Sequence, residues 1–262
     1  MNGEEIYHPG SWIEYEGITM LSDGELERYK RQIPLFGEEG QDKLKGSAIF
    51  IAGAGGLGSP VSLYLAAAGV GRLIIADNDA VDLTNLNRQI LHGGRSVGER
   101  KTESAARRLS DLNPDIEITA IDRRIDEESI SGIVKGADGI VDAMDTFEVR
   151  YLLNQVAYKR EIPLFHGGIR GFYGQATTII PGETACLSCI FPHPPPSEVI
   201  PVIGATAGII GSVQANEVLK YLLGMGELLT DRLLLWDGMR SEVDMIAVER
   251  NPGCPVCGGM KR

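Results

Sequence analysis

One glycine-rich turn, Gly53-Ala54-Gly55-Gly56-Leu57-Gly58, constrains the fold of this chain more than any other feature. The apolar run 47–52 before it is typical of a buried strand, and the run 60–68 after it is typical of a helix. The turn contains a GxGxxG spacing, formed by Gly53, Gly55 and Gly58. Such glycines let the backbone approach a phosphate, and the helix N-terminus adds partial positive charge. The order of strand, turn and helix therefore favours a nucleotide site over an ordinary glycine-rich turn.

The pattern around the turn predicts strands that alternate with helices. Strands are expected at 72–76, 116–121 and 139–141, and helices at 98–112 and 147–158. This alternation implies parallel crossovers, so we predict an α/β fold with a Rossmann-like, doubly wound and mostly parallel sheet. The sheet is expected to continue as a mixed sheet, with a helix at 207–223 and strands at 163–165, 175–180, 232–236 and 243–248.

Length and composition allow one large core or two small ones, because 262 residues with 43% hydrophobic content can support either. We expect residues 1–21 to be an N-terminal extension and 22–262 to form a single domain. Its nucleotide-binding half is placed at 22–160 and its cysteine-bearing half at 161–262. Ser22 and Glu25 have the spacing of a capping box, which marks the start of the first helix.

The charge balance excludes some classes of partner. A net charge of −11 argues against a nucleic-acid surface, which needs clustered Lys and Arg. No apolar stretch reaches the roughly 18 residues that span a bilayer, so no membrane association is expected. The N-terminal residues lack the basic start of a signal peptide, and we expect a cytoplasmic protein.

Polar residues downstream of the turn could meet a nucleotide. Asp77 lies 19 positions after Gly58 (77 minus 58), the usual place for a carboxylate that binds ribose hydroxyls in NAD sites as well. A short helix would place three residues at i, i+3 and i+4 on one face, namely Asn85, Arg88 and Gln89. Together with Lys101 in the next helix they could neutralise a triphosphate, although a solvated helix face fits the same spacing.

Two carboxylates, Asp142 and Asp145, follow the strand that is expected to end at Val141. They would lie at the carboxyl end of a parallel strand, where open α/β sheets bind ligands. One of them could hold Mg²⁺. N-capping of the following helix is the structural alternative for Asp145.

The cysteines form two CxxC pairs, Cys186 with Cys189 and Cys254 with Cys257. Disulfides are rare in the cytosol, and four thiolates in two pairs are typical of a tetrahedral zinc site. Because 65 positions separate the pairs (254 minus 189), the metal would join distant segments of an existing fold. Four unligated thiols are the alternative. The histidines are interpreted as structural, namely His8, His92, His166 and His193.

As an ordered set, these residues resemble the ThiF/MoeB/HesA family, the bacterial and archaeal relatives of ubiquitin-activating enzymes. The resemblance runs from about Leu21 to Cys257. Its motifs are the glycine turn, both CxxC pairs, Lys101, and the runs 28–32, 77–79, 85–89 and 142–145. It implies an enzyme that uses ATP to adenylate the C-terminal Gly-Gly carboxylate of a ubiquitin-like sulfur carrier and releases pyrophosphate. The product would serve sulfur transfer in cofactor biosynthesis, for molybdopterin, thiamine or another route.

The resemblance also implies roles for single residues. Asp77 would bind the ribose, with Asp79 beside it in the nucleotide site. The phosphates would be bound by Asn85, Arg88, Gln89 and Lys101, Mg²⁺ by Asp145, and zinc by Cys186, Cys189, Cys254 and Cys257. Arg31 would reach the ATP site of a second copy, so the active unit would be a homodimer. The half 161–262 would bind the carrier, and a sulfurtransferase is a further partner.

The implied chemistry needs cations and no base. A carboxylate is already ionised at neutral pH and can attack the α-phosphate without a general base. The barrier then falls through positive charge placed where negative charge develops, which Mg²⁺, Arg31, Arg88 and Lys101 would supply.

Two positions depart from the family pattern. The crossing loop is predicted at 191–203, and its segment 197–201 contains no cysteine for a thioester or a persulfide. The resemblance therefore does not extend such a covalent step to this chain. Thr146 follows Asp145 where the family often has Asn.

Three other functions stay open at the level of the sequence. An NAD-dependent Rossmann oxidoreductase would use the glycine turn and Asp77 but would leave Arg88 and Lys101 without a phosphate. A non-catalytic scaffold would bind a carrier without needing those cations. Adenylation of a small carboxylate or of a tRNA nucleoside would keep the ATP chemistry, but the acidic charge weighs against tRNA.

Overall fold

A computed structural model of the protein describes residues 21–193 and 201–258. The helices are α1 (Asp23–Tyr29), α2 (Ile33–Lys45), α3 (Gly58–Ala68), α4 (Lys101–Leu112), α5 (Ile130–Ile133), α6 (Phe147–Arg160), α7 (Leu187–Ile190) and α8 (Gly204–Leu223). The strands are β1 (Ala48–Ala52), β2 (Arg72–Ala76), β3 (Glu117–Ile121), β4 (Gly139–Asp142), β5 (Leu164–Arg170), β6 (Tyr173–Ile179), β7 (Arg232–Asp237) and β8 (Glu242–Ala247). Two short 3₁₀ turns lie at Leu83–Asn85 and Gly94–Ser96.

All eight strands form one sheet in the order β3-β2-β1-β4-β5-β6-β7-β8. The pairs from β3 to β5 are parallel, and the pairs from β5 to β8 are antiparallel. The predicted α/β fold with a parallel sheet that becomes mixed is therefore confirmed. Strand order reverses between the adjacent strands β1 and β4, and ligands bind at the carboxyl ends of strands at such a switch point.

The core lies on both faces of the sheet because the side chains of β1 alternate between two apolar clusters. Phe50 packs with β4 and with helices α5 and α6 on one face. Ile49 and Ile51 pack with helices α3, α4 and α8 on the other face. The close approach of helices α3 and α8 requires a glycine at their contact, because a Cβ at Gly211 would lie 2.4 Å from Cγ of Pro60. The switch point between β1 and β4 therefore sits on a rigid, fully buried platform.

The capping box at the start of α1 is present, with Ser22 and Glu25 each bonded to the backbone of the other. Helix α2 was not predicted, because a kink at Gly37 (φ +72°) divides its apolar period. The strands β5 and β6 of the hairpin are longer than the predicted strands 163–165 and 175–180. The prediction was too short because the centre of the hairpin is rich in glycine. Gly167 is required there, because a Cβ would lie 2.5 Å from the amide of Gln214.

Several expectations fall on residues outside the described ranges. These are residues 1–20 of the extension predicted at 1–21, which include His8, and residues 194–200 of the crossing loop. The division into halves at 22–160 and 161–262 stays a prediction, although strands from both belong to one sheet. Within the described residues, the longest helices lack either the length or the apolarity to cross a membrane.

Candidate functional site

The glycine turn connects β1 to α3 and lies against the loop that follows β4. A Cβ at Gly53, whose φ is +99°, would lie 2.9 Å from the carbonyl oxygen of Ala143. A Cβ at Gly58 would lie 2.0 Å from the carbonyl oxygen of Gly53. Both positions therefore require glycine, which gives the GxGxxG spacing a steric reason independent of any ligand. The turn opens at the switch point of the sheet, where its amide groups can meet an anion.

Asp77 follows β2 and is hydrogen-bonded to the glycine turn. Its Oδ2 accepts the N–H of Ala54 at 2.9 Å, and its Oδ1 accepts the N–H of Asp79 at 2.9 Å. The side chain is half-buried, so each oxygen keeps lone pairs on the exposed side. This carboxylate is fixed in place and can accept further hydrogen bonds from a ligand hydroxyl.

The segment from Asn85 to Gln89 lies over the turn. It is one helical turn, in which the carbonyl of Asn85 accepts the N–H groups of Arg88 and Gln89. A Cβ at Gly56 would lie 3.8 Å from Cγ of Arg88, and one at Gly55 would lie 3.6 Å from Nε2 of Gln89. Gln89 is buried, and its Oε1 has no hydrogen-bond partner among the described residues. The stem of Arg88 and the unsatisfied amide of Gln89 thus lie beside the turn, while Nη1 of Arg88 donates to the carbonyl of Thr84 and to Oδ1 of Asn87, each at 3.0 Å.

Lys101 begins α4 and brings a buried ammonium group to the same region. Its side chain is only 7% exposed, and its Nζ lies 2.8 Å from Oδ2 of Asp79, a side chain that is 63% exposed. The backbone N–H of Lys101 also donates to the carbonyl of Asp79. Because Asp79 is bonded to Asp77, and Asp77 to Ala54, Lys101 is linked to the turn through two aspartates. A shared role of these residues in one site stays a prediction.

The two carboxylates after β4 have different surroundings. Asp142 is fully buried, and its Oδ2 lies 2.7 Å from Nδ1 of His166 and 3.7 Å from Nε of Arg150. Burial lowers the pKa of His166, so the ring is neutral and donates its Nδ1–H to this carboxylate. Oδ1 of Asp142 accepts the N–H of Met144 and so shapes the loop. Asp142 is a structural residue of the core.

Asp145 is exposed at the tip of the same loop, next to the start of α6. The N-cap residue of α6 is Thr146, without a side-chain capping bond. The alternative interpretation of Asp145 as the helix cap is therefore wrong. Of the two candidates for Mg²⁺, only Asp145 has a carboxylate that solvent can reach.

Arg31 is exposed between α1 and α2, and its position is anchored by its neighbour. The side chain of Gln32 donates to the carbonyl of Ala68, the last residue of α3, at 2.8 Å. Helix α3 has 11 residues and begins at the glycine turn, so its two ends are separated by about 16 Å. Within one chain, the structure does not bring Arg31 to the cluster around the turn.

The cysteines converge as the sequence predicted. Their sulfur atoms all lie within 4.8 Å of one another, and the pairs Cys186–Cys254 and Cys189–Cys257 are 3.5 and 3.3 Å apart. A tetrahedral zinc with Zn–S bonds of about 2.3 Å would separate its sulfurs by about 3.8 Å, so the cluster has the right size.

The chemistry of these thiols also suits a cation. Burial raises the pKa of Cys186, so its thiolate needs a compensating charge. At Cys254 burial acts in the same direction, but N–H groups of Cys257 and Val256 outweigh it and lower the pKa to about 7. A group of four thiols with this burial can hold one metal ion.

In the site region, sequence reasoning named His92 only as a structural histidine without a partner, and it missed Gln214. His92 is bonded through Nε2 to the carbonyl of Ala54 at 2.9 Å and through Nδ1 to Oγ of Ser104 at 3.0 Å. Gln214 of α8 donates to the carbonyls of Asp142 and Phe165. Both contacts join segments that are far apart in the chain, and no local pattern signals them.

Comparison with known proteins gives the family and several relatives. The ThiF family model matches residues 29–256. The chain is 43% identical to the SAMP-activating enzyme E1 of Haloferax volcanii, with 92% of each chain covered. It is 42% identical to the sulfur carrier protein adenylyltransferase of Thermus thermophilus, with 89% of this chain and 91% of the relative covered. Among solved structures, E. coli MccB with ATP has a TM-score of 0.78 at 27% identity, covering 88% of this chain and 74% of MccB.

Proposed function

Because the chain belongs to the ThiF family, we propose that it adenylates a protein: it transfers AMP from ATP to the C-terminal carboxylate of a ubiquitin-like sulfur carrier ending in Gly-Gly, and releases pyrophosphate. The observation that supports this proposal is that the stem of Arg88 lies against the glycine turn, while Lys101 is linked to the turn through Asp79 and Asp77. Two relatives with more than 40% identity are named for activating or adenylating enzymes of this kind. The adenylate would enter sulfur transfer for cofactor biosynthesis.

Different residues of the site would bind different parts of ATP. Asp77 would accept hydrogen bonds from the ribose, and its contact with Ala54 would place the ribose beside the phosphate turn. Amide groups of the turn, with Asn85 and Gln89, would bind phosphate oxygens. Arg88 and Lys101 would oppose the negative charge that builds up as the carboxylate attacks the α-phosphate.

Mg²⁺ fits the exposed carboxylate of Asp145, because hard oxygen ligands near a triphosphate are the usual setting for this ion. Bound there, it would neutralise part of the phosphate charge. The buried contact of Asp142 with the N–H of Met144 would hold the loop that carries Asp145. The carboxylate of Asp145 is exposed and has no bonded partner in the part of the chain that the structure describes, so it is available to a metal.

A homodimer would complete the site with Arg31 of a second copy. Support comes from a groove between α3 and α8, with adjoining volumes of about 460 and 370 Å³ and with Tyr64 and Ser212 lining both parts. Tyr64, Ile90 and Ile209 are exposed by 56, 58 and 38% along it. An apolar groove of this kind, close to Gln32 and hence to Arg31, is a fitting self-association surface.

The half 161–262 would bind the carrier, with the cysteine cluster as a structural zinc site. The cluster joins α7, which follows β6, to the segment after β8. The ion would act on stability, because all four positions of a tetrahedral zinc would be filled by sulfur. A sulfurtransferase that receives the activated carrier is a further proposed partner.

Exchange of labelled pyrophosphate into ATP tests the proposal. We expect exchange that depends on both MgATP and a Gly-Gly carrier, and no exchange with the same carrier shortened by its last glycine. Tight NADH binding without any response to MgATP would instead support an oxidoreductase. Carrier binding without exchange would support a scaffold, and exchange driven by a small carboxylate would change the acceptor.

A further inference from the structure

His92 lies in the site region but belongs to none of the ligand-binding groups assigned above. Its side chain is buried, and both ring nitrogens are bonded within the protein. A carbonyl oxygen can only accept, so Nε2 carries the proton and donates to Ala54. Burial lowers the pKa of His92, and the charge of Lys101 adds to this effect. The ring is therefore neutral, and Nδ1 accepts the hydroxyl of Ser104.

The contact with Ala54 fixes the direction of a peptide group in the turn. In a trans peptide the carbonyl of one residue and the N–H of the next point in opposite directions. His92 holds the carbonyl of Ala54, so the N–H of Gly55 points away from the imidazole. On the other side of Ala54, Asp77 holds the N–H of that residue. Both peptide groups are thus held in a single orientation.

The contact with Ser104 extends this control to α4. Ser104 lies three residues after Lys101, so both face the same side of the helix. Lys101 is bonded to Asp79, Asp79 to Asp77, and Asp77 to Ala54. His92 completes a closed circuit of contacts through these residues. This circuit joins an amide donor of the turn to the buried ammonium group of Lys101.

We infer that His92 is a positioning residue, which sets the spacing between the phosphate-binding amides of the turn and the ammonium group of Lys101. This inference rests on the proposed function, because it takes the ligand to be the polyphosphate of ATP. A merely structural histidine would affect binding of the whole nucleotide or the stability of the fold. A positioning histidine affects the phosphate part alone.

The test compares a non-hydrolysable MgATP analogue with adenosine, which has no phosphate, by calorimetric titration. His92→Phe should weaken binding of the analogue about tenfold or more, the effect of misplacing a hydrogen bond to a charged group, and leave adenosine binding within about twofold. His92→Gln, whose amide can still donate to Ala54, should recover most of the loss. Ser104→Ala should weaken the analogue alone by a smaller factor, and the exposed Ser110→Ala should change neither ligand.

The outcomes separate this inference from the proposed function. The positioning role is overturned if His92→Phe binds the analogue as tightly as the wild type does, or if it loses the same factor of affinity for the analogue and for adenosine. Either result leaves ATP binding by the wild-type protein intact. Should His92→Phe fail to fold, Ser104→Ala decides: a loss confined to the analogue supports the inference, and no loss refutes it. A wild-type protein that binds no MgATP analogue refutes the proposed function, and this inference with it.

Discussion

Removing the metal from the cysteine cluster should lower the stability of the whole protein by an amount that the structure fixes. The cluster joins Cys186 to Cys254, which are 68 positions apart. If the ion stays bound to the cysteines of the unfolded chain, it acts as a cross-link, and closing a loop of this length removes chain entropy worth about 4 kcal/mol at 25 °C. For a chain of this size each kcal/mol moves the Tm by about 2–4 °C, so we expect a decrease of about 8–16 °C.

The assay is thermal unfolding with and without a chelator, together with metal analysis of the purified protein. We expect one zinc per chain, and we expect the decrease in Tm with a chelator but not with a thiol reductant, because the cysteines are free of disulfides. Cys254→Ser should show most of the decrease by itself. A chelator should then cause little further change in that variant, which serves as the control for non-specific effects.

Two results would refute this reasoning. One is a protein that is purified without metal and still unfolds at the temperature of a zinc-loaded sample. The other is a chelator-induced decrease in Tm that is as large in Cys254→Ser as in the wild-type protein. The first result would mean that packing alone holds the segments together, and the second that the chelator acts elsewhere.

The remaining predictions concern the proposed active site. Arg88→Ala and Lys101→Ala should each reduce pyrophosphate exchange at least about a hundredfold with an unchanged Tm, as expected for contacts to transition-state charge; the exposed Arg108→Ala is the matched control. Asp145→Asn should raise the Mg²⁺ concentration needed for half-maximal exchange, and an unaltered Mg²⁺ dependence would remove Asp145 from the metal site. Tyr64→Glu should convert the proposed dimer to a monomer in sedimentation experiments. Arg31→Ala mixed with Arg88→Ala should regain activity, since a mixed dimer would hold one intact site; no recovery argues against a shared site.

The strand, turn and helix at the centre of the fold could be predicted because their signals are local. Glycines at fixed positions, an apolar run before them and a helical period after them are all contained within residues 47–68. The CxxC pairs are equally local, and each pair already brings two sulfurs together. Their convergence into one cluster follows from the need of a metal for four ligands. Local sequence patterns were thus sufficient to predict the glycine turn at the switch point of the sheet and the cysteine cluster.

The parts that could not be predicted depend on contacts between distant segments. His92 meets Ala54 across 38 positions, and His166 meets Asp142 across 24. Nothing in the neighbourhood of either histidine indicates its partner. The hairpin of β5 and β6 was underestimated because glycines such as Gly167 lower strand propensity, while the packing of Gln214 requires them.

The ion pair between Lys101 and Asp79 has a consequence for turnover. A buried ammonium group without an anion is costly, and Asp79 provides that anion before any nucleotide arrives. An incoming triphosphate would therefore exchange with a carboxylate for the same lysine, so the net gain in affinity stays moderate. In the proposed reaction, Asp79 would then pair with Lys101 again and so help to displace pyrophosphate. Asp79 would thus act as the counter-ion of Lys101 whenever no phosphate is bound. This would lower the affinity for ATP and speed the release of the product.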